Sequence, residues 1–287
     1  MKTYILAARP KTLPAALVPV WVGCALAYCL TGKWDVWLAF YTLMGAVWIQ
    51  IATNFFNDAI DSEKGADTEM RLGPVRATAS GQLSSRAVYG CALVCLLIAS
   101  VFGGLLIQER GWPILAIGIP SLYLCYGYTG GPLPLAYRGL GELFVILFFG
   151  VVAVTGTVFV QTGTWEPVAI AMGAAIGCLS AILISINNLR DVDEDRDNQK
   201  NTLAVKWGRR KAVVLLQIMM IIPYGITGFI FGFQCGLLYF LPAFILGVFI
   251  QWKVCRTLPG VIYNRFLALS ALQLLLYAMA VQLIVIS

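Results

Sequence analysis

An all-α polytopic membrane protein is the fold class this sequence predicts: nine transmembrane helices, with the N-terminus in the cytoplasm. Three observations predict it. Of the 287 residues, 60% are hydrophobic and only 12% charged, with a mean hydropathy of +0.82, and soluble domains carry about twice that charge. Charge-free windows run 12–32, 36–57, 87–108, 111–137, 143–165, 167–189, 212–252 and 266–287, most of them near the ~20 residues a helix needs to cross hydrocarbon. Finally, with the N-terminus inside, only Lys33 and Arg110 of the 20 Lys and Arg fall outside, the bias that sets membrane orientation.

Each window reads as one helix except 212–252, which has twice the required length and is broken at Gly232 and Gly236 around Gln234. Two helices there make nine. Pro120 and Pro223 sit inside spans, where a membrane helix tolerates them better than a soluble one. Trp34, Trp37, Trp112 and Trp165 fall at the outer boundary, as an interfacial belt requires. The outer loops 32–36, 109–112, 162–167 and 232–236 are short. The inner loops 58–86 and 189–211 are long and hold nearly all the acids, so chemistry is expected on the cytoplasmic side of one transmembrane domain spanning 1–287. No short apolar core followed by a small-residue site marks a cleavable signal.

Composition also excludes. The chain has no histidine, which removes the usual general base, the usual zinc ligand and any Ser-His-Asp triad. Its eight cysteines form no C-x-x-C pair and sit mostly within apolar runs, so they read as small hydrophobic filler. The net charge of +6 is accounted for by orientation, and nucleic acid is not expected as a partner.

Two acidic patches remain. The first, Asn54-Phe-Phe-Asn57-Asp58-Ala-Ile-Asp61 with Asp67 beyond, places Asn54, Asp58 and Asp61 on one face if the second helix continues through it. The second, Asn187-Asn188-Leu-Arg190-Asp191-Val-Asp193-Glu194-Asp195, repeats Asn187, Asp191 and Asp195 at four-residue spacing. The two lie 133 residues apart, Asp58 to Asp191, at the inner ends of the second and sixth helices. Either alone reads as a solvated loop; as a pair at equivalent positions they read as a site. Carboxylates with amide oxygens are hard donors suited to Mg²⁺, which binds through one or two carboxylates plus substrate phosphates. Arg71, Arg76, Lys200 and Lys206 follow close behind and suit phosphate oxygens. A diphosphate head opening into apolar helices points to a polyprenyl diphosphate. Ionisation would leave an allylic cation to alkylate an electron-rich acceptor in a dry cavity, with Phe55, Tyr126, Tyr128 and Phe148 as candidate aromatic lining.

These residues resemble the UbiA-type intramembrane prenyltransferases. Asn54-x-x-Asn57-Asp58-x-x-Asp61 with Arg71-Leu-Gly73-Pro74-Val-Arg76 looks like the family's first signature. Asn187-Asn188-x-Arg190-Asp191-x-x-x-Asp195 with Lys200-x-Thr202-Leu-Ala-Val-Lys206-x-Gly208 looks like its second. Ala8-Arg9-Pro10-Lys11-Thr12-Leu13-Pro14 and Tyr137-Arg138-Gly139-Leu140-Gly141-Glu142 are similar to the branch that prenylates 1,4-dihydroxy-2-naphthoate in menaquinone synthesis. The resemblance spans residues 8 to about 210. It implies nine helices around a central cavity, one Mg²⁺ served by Asn54, Asp58 and Asp61, and a second by Asn187, Asp191 and Asp195. It also implies diphosphate held by Arg71, Arg76, Lys200 and Lys206, and a reaction in which prenylation is coupled to loss of the acceptor's carboxyl group. Gly65 stands where the wider family has an acid, and Glu142 where an Asp is expected. Asp67 or Glu142 are the candidates to take the acceptor's proton, each with an alternative role, a solvated loop acid and a helix N-terminal charge respectively. Arg138 would steer the acceptor carboxylate or mark the inner boundary, and the boundary role is the better supported.

Competing readings keep the class and change the acceptor to 4-hydroxybenzoate or a chlorin, or change the class to an ion-coupled secondary transporter. A transporter places its ionisable residues near the bilayer midplane, commonly within inverted repeats. Here both patches lie at one side and the helix count is odd. A CDP-alcohol phosphotransferase would need a packed Asp-x-x-Asp-Gly run in one segment, which is absent.

Overall fold

In a computed structural model that describes residues 2–65, 72–73, 76–232 and 235–287, nine apolar helices account for most of the chain. They are α1 (Pro14–Thr31), α2 (Val36–Glu63), α3 (Ser85–Arg110), α4 (Trp112–Gly127), α5 (Gly141–Thr162), α6 (Pro167–Arg190), α7 (Leu203–Phe231), α8 (Leu241–Arg256) and α9 (Tyr263–Ile286). Among the described residues no strand occurs. Among the described residues eight helices are long and apolar enough to cross a membrane, α8 being counted with the preceding turn as Leu238–Arg256; α4, with 16 residues, is the shorter ninth. At 1.5 Å per residue α4 reaches only about 24 Å, short of the ~30 Å hydrocarbon core. The window 111–137 therefore overstated this span. Gly130-Gly131-Pro132-Leu133-Pro134 cannot continue a helix, and residues 128–137 instead form a loop closed by the Ala136 N–H on the Tyr128 carbonyl at 2.9 Å.

Helix ends follow local chemistry. Asp35 caps α2, its Oδ1 accepting from the N–H groups of Trp37 at 2.8 Å and Leu38 at 2.9 Å. Ser84 caps α3 and Thr202 caps α7. The 212–252 window does divide into two helices, with Gly232 at φ 77° ending α7. The basic run Lys206–Lys211, read as part of a loop, belongs to α7, which kinks at Gly208 where φ is 76°.

Two ends are distinct. At one, Arg110 donates to the carbonyls of Val160 (2.6 Å) and Gln161 (3.3 Å), and Gln161 exchanges hydrogen bonds with the Asp35 backbone. This is the end of Trp34, Trp37, Trp112 and Trp165, all exposed. The opposite, acidic end gathers the inner segments. The main core joins α1, α5, α6, α7, α8 and α9, while a second cluster joins α2, α3 and α4 around Phe55, Phe56 and Cys95. Between α5 and α6 the backbones touch. A Cβ on Gly150 would lie 2.3 Å from the Gly173 carbonyl oxygen, and one on Gly177 would lie 2.5 Å from that of Ile146. The same stretch of α5, Ile146–Val152, is π-helical, a local widening that often accompanies functional sites. The cysteines with described side chains are all free.

Candidate active site

The helix α2 runs unbroken through the first acidic patch, so Asn54, Asp58 and Asp61 do share a face, and all three are buried. Their partners differ. Asn54 donates its amide to the Ala8 carbonyl at 2.8 Å and to Thr12 Oγ1 at 2.9 Å, which ties the N-terminal segment to the motif and leaves Oδ1 only a long bond from Gln50 at 3.4 Å. Asp58 accepts from the backbone N–H groups of Ala77 (3.2 Å) and Thr78 (2.9 Å). Asp61 pairs with Arg76 at 3.0 Å and accepts from the Tyr137 hydroxyl at 2.9 Å.

The second patch is built differently from the single helical face that its spacing predicted. The helix α6 ends at Arg190, Asp191 sits at a break (φ −97°, ψ 13°), and a short helix Val192–Asp197 follows. The turn stays close to helical, since the Asp195 N–H still reaches the Asp191 carbonyl at 2.7 Å. Arg190, 2% exposed, accounts for the break. It grips Asp191 with two bonds of 2.7 and 2.6 Å, and also donates to Asn187 Oδ1 at 2.8 Å and to Asn264 Oδ1 of α9 at 2.6 Å. A charge that deep requires this full complement of partners.

The two patches meet at Lys200. Its ammonium lies 3.9 Å from Asp61 of the first and 3.8 Å from Asp195 of the second. The Tyr137 ring lies beneath both Lys64, at 4.0 Å, and Lys200, at 5.5 Å. Burial lifts the Asp195 carboxyl to about 7, and the neighbouring charges of Asp191, Asp61 and Glu194 add to the rise while Lys200 opposes it. Lys64 is lowered by burial, although Asp61 pulls it back up. Burial and the crowding of Asp61, Asp191 and Glu194 thus disfavour negative charge on Asp195, a penalty that an added cation would relieve.

Behind the cluster a cavity of about 420 Å³ runs from Tyr128 near the acidic end to Ile114 and Val160 near the other. Its wall is apolar, with Tyr128, Phe144 and Phe148 among its rings. Phe55 and Tyr126 are not part of it: Phe55 packs in the second core, and Tyr126 meets Phe56 edge-on. On the helices α3 and α4, Gly103, Gly104 and Gly118 line the cavity, and a Cβ at any of them would meet open space. Tyr128 joins cavity and cluster. It lines the first, and its hydroxyl is raised by burial and by the charges of Glu142, Asp61 and Asp195.

Glu142 lies in the first turn of α5, as a helix N-terminal acid would, but it is buried at 4% exposure. Asn188 Nδ2 donates to its Oε1 at 3.0 Å and Ser185 Oγ at 3.5 Å, while Oε2 is buried with no hydrogen-bond partner among the described residues. Such an orphaned oxygen costs about 1–3 kcal/mol.

Of the other candidates, Lys206 stands apart from the acids, with its ammonium on the Arg138 carbonyl at 2.7 Å, a contact exposed to solvent. That bond leaves Arg138 a backbone role there. Asp67 and Arg71 lie outside the described residues. Lys64, Tyr137, Arg190 and Asn264 went unassigned by sequence. Arg190 stood inside the second motif and was legible as a charge next to acids, whereas Asn264 carried no signal, since only the packing of α9 brings it near.

The donor set fits Mg²⁺. Each patch offers two carboxylates and one amide oxygen, with no soft ligand. Among the described residues no three of His, Cys, Asp or Glu converge tightly enough to cage an ion unaided, which suits a metal that completes its shell with water and substrate phosphate.

Comparison with known proteins gives concordant matches. The UbiA prenyltransferase family matches residues 16–282. A 1,4-dihydroxy-2-naphthoate octaprenyltransferase of Haemophilus influenzae is 34% identical over 74% of this chain and 71% of its own length. One of Mycobacterium tuberculosis is 36% identical over 78% and 76%. Among solved structures, a UbiA homolog from Archaeoglobus fulgidus bound to DMAPP and Mg²⁺ superposes with a TM-score of 0.68 at 17% identity, covering 97% of this chain and 98% of that one. The apo structure of a UbiA homolog from Aeropyrum pernix gives 0.72 at 16% identity, covering 95% and 97%. At such identities the structural matches speak for the fold.

Proposed function

The chain belongs to the UbiA prenyltransferase family, and on that premise we propose that it transfers a polyprenyl group from polyprenyl diphosphate to 1,4-dihydroxy-2-naphthoate, with Mg²⁺, in menaquinone synthesis. One observation carries the reading: Lys200 sits between Asp61 and Asp195, so two acidic motifs remote in sequence form one charged pocket next to an apolar cavity.

Asp58 and Asp61, with the Asn54 amide oxygen, would hold one Mg²⁺; Asp191 and Asp195, with that of Asn187, a second. When bound, Mg²⁺ supplies neutralisation of the charge that grows on departing diphosphate. Arg76 and Lys200 now neutralise the acids, and they turn to phosphate oxygens when substrate enters. Arg71 is the further diphosphate ligand that the motif implies. Tyr137 orients Asp61 by its hydroxyl and steadies Lys64 and Lys200 by its ring. The prenyl chain occupies the cavity, whose apolar wall keeps water from the allylic cation, and Tyr128 and Phe148 present ring faces to it. The site then lies at the cytoplasmic side of a bacterial inner membrane, an orientation that the distribution of Lys and Arg supports.

The acceptor follows from the curated relatives, and a 4-hydroxybenzoate acceptor is the alternative. Mass spectrometry of the quinones made when this chain replaces a missing naphthoate prenyltransferase separates the two. A polyprenylated naphthoquinone is expected; a prenylated hydroxybenzoate in its place overturns the acceptor.

A further inference from the structure

We infer that Glu142 is a catalytic residue of the acceptor half-site, its Oε2 taking the hydroxyl proton of a phenolic or naphtholic acceptor as the ring attacks the allylic carbon. The inference rests on the prenyl-transfer reading above. With no histidine in the chain, the base is a carboxylate or water, and the carboxylates of the site are not equivalent. Asp58 is held by two backbone N–H groups, Asp61 by Arg76 and Tyr137, Asp191 by the Arg190 fork, and Asp195 by Lys200. Donors and cations of this kind favour the ionised form of Asp58, Asp61 and Asp191 and leave weak proton acceptors, while Asp195, although raised by burial, is already engaged by Lys200 within the charged cluster. Glu142 has neutral partners, Asn188 and Ser185, and both use Oε1. Its Oε2 is buried and has no hydrogen-bond partner among the described residues, so it retains an acceptor site.

Position supports the same role. Gly141, the preceding residue, packs so close to Tyr128 that a Cβ there would lie 2.8 Å from the Tyr128 hydroxyl. Tyr128 is the ring shared by the cavity and the charged cluster. An acceptor must lie at that junction to meet the first carbon of a prenyl chain whose diphosphate is held by the acids. Asn188, next to Asn187 of the second motif, is then a positioning residue that fixes the carboxylate.

The step balances. The acceptor O–H bond breaks and its proton goes to Oε2. The oxygen's electron pair moves through the ring into the new carbon–carbon bond, as the allylic C–O pair leaves with diphosphate. When the acceptor's carboxylate departs as CO₂, its bonding pair restores the aromatic ring, and the oxygen recovers the proton from Glu142.

The test uses the full chain in proteoliposomes with Mg²⁺, comparing wild type with Glu142→Gln, which can keep the Asn188 contact through its amide oxygen. With dihydroxynaphthoate, kcat is expected to fall about 100-fold or more, while KM for polyprenyl diphosphate holds. A fluorinated acceptor whose hydroxyl is already ionised at the assay pH should recover most of the lost rate in the variant. Wild-type kcat in Glu142→Gln overturns the inference, as does an equal loss with both acceptors, which marks a structural role. A wild type inert toward every naphtholic and phenolic acceptor removes the prenyl-transfer reading and this inference together.

Discussion

Replacing Asp58 or Asp191 with Asn keeps the side chain's volume and removes its charge, which isolates electrostatics from packing. Each change is expected to lower kcat about 100-fold or more, the scale on which one preorganised electrostatic group acts; Asp58→Asn should also cost about 1–3 kcal/mol of stability, because its NH2 replaces an oxygen that accepts from the Ala77 or Thr78 N–H. Asp191→Ala behaves differently. It strands the Arg190 guanidinium, buried at 2% exposure, and loss of one partner of a buried pair costs about 3–5 kcal/mol, so the unfolding temperature falls along with activity. The two lysines of the second motif also separate. Lys200→Met should raise KM for polyprenyl diphosphate, since its ammonium bridges Asp61 and Asp195, whereas Lys206→Met, removed from the acids and bonded to a carbonyl, should leave KM within about twofold, as expected for an exposed contact. The acids and Arg76 were legible in sequence because charge inside an apolar chain stands out. Tyr137 and Lys64 were not, because their roles arise from a ring and an ammonium brought together by the 128–137 loop and the end of α2.

Elements bear the site by close backbone contact. The helices α5 and α6, which carry Glu142 and the second motif, approach through Gly150, Gly173 and Gly177. A Cβ at Gly177 meets the fixed backbone of Ile146 rather than a mobile side-chain tip. Gly177→Ala is therefore expected to destabilise by about 1–3 kcal/mol, the usual cost of overpacking, measured as a lower unfolding temperature in detergent. Gly104→Ala, facing open space, should show no such loss. Charge-free windows located the eight described helices long enough to cross a membrane, since the bilayer imposes a length, and the shorter α4 with them. They could not show that α4 stops at Gly127, because the residues that follow are equally uncharged, and turn chemistry in Gly130–Pro134 decides the end. Nor could four-residue spacing reveal the break at Asp191, which depends on the Arg190 grip and on Asn264 from α9.

At the scale of the whole molecule, a charged pocket at one end continues into an apolar cavity about 420 Å³ in volume. Side chains added at its far, glycine-lined part should shorten the substrate that fits. Gly104→Leu or Gly118→Leu is expected to shift preference toward shorter prenyl diphosphates, read as the ratio of kcat/KM values for two chain lengths, with the metal dependence intact. Cavity size was beyond the sequence, since it is set by how five helices pack. The pairing of two motifs as one site was within reach, because both close even-numbered helices and so emerge on the same side. The central claim is that the two motifs act as one Mg²⁺–diphosphate site. Its most direct test is product mass spectrometry on purified protein supplied with polyprenyl diphosphate and dihydroxynaphthoate, with Mg²⁺ or with chelator, for wild type, Asp58→Asn and Asp191→Asn. Wild type with Mg²⁺ alone should yield a prenylated, decarboxylated naphthoquinol, with near loss of product under chelation and in both variants. Full product from either variant, or from chelated wild type, would contradict the claim.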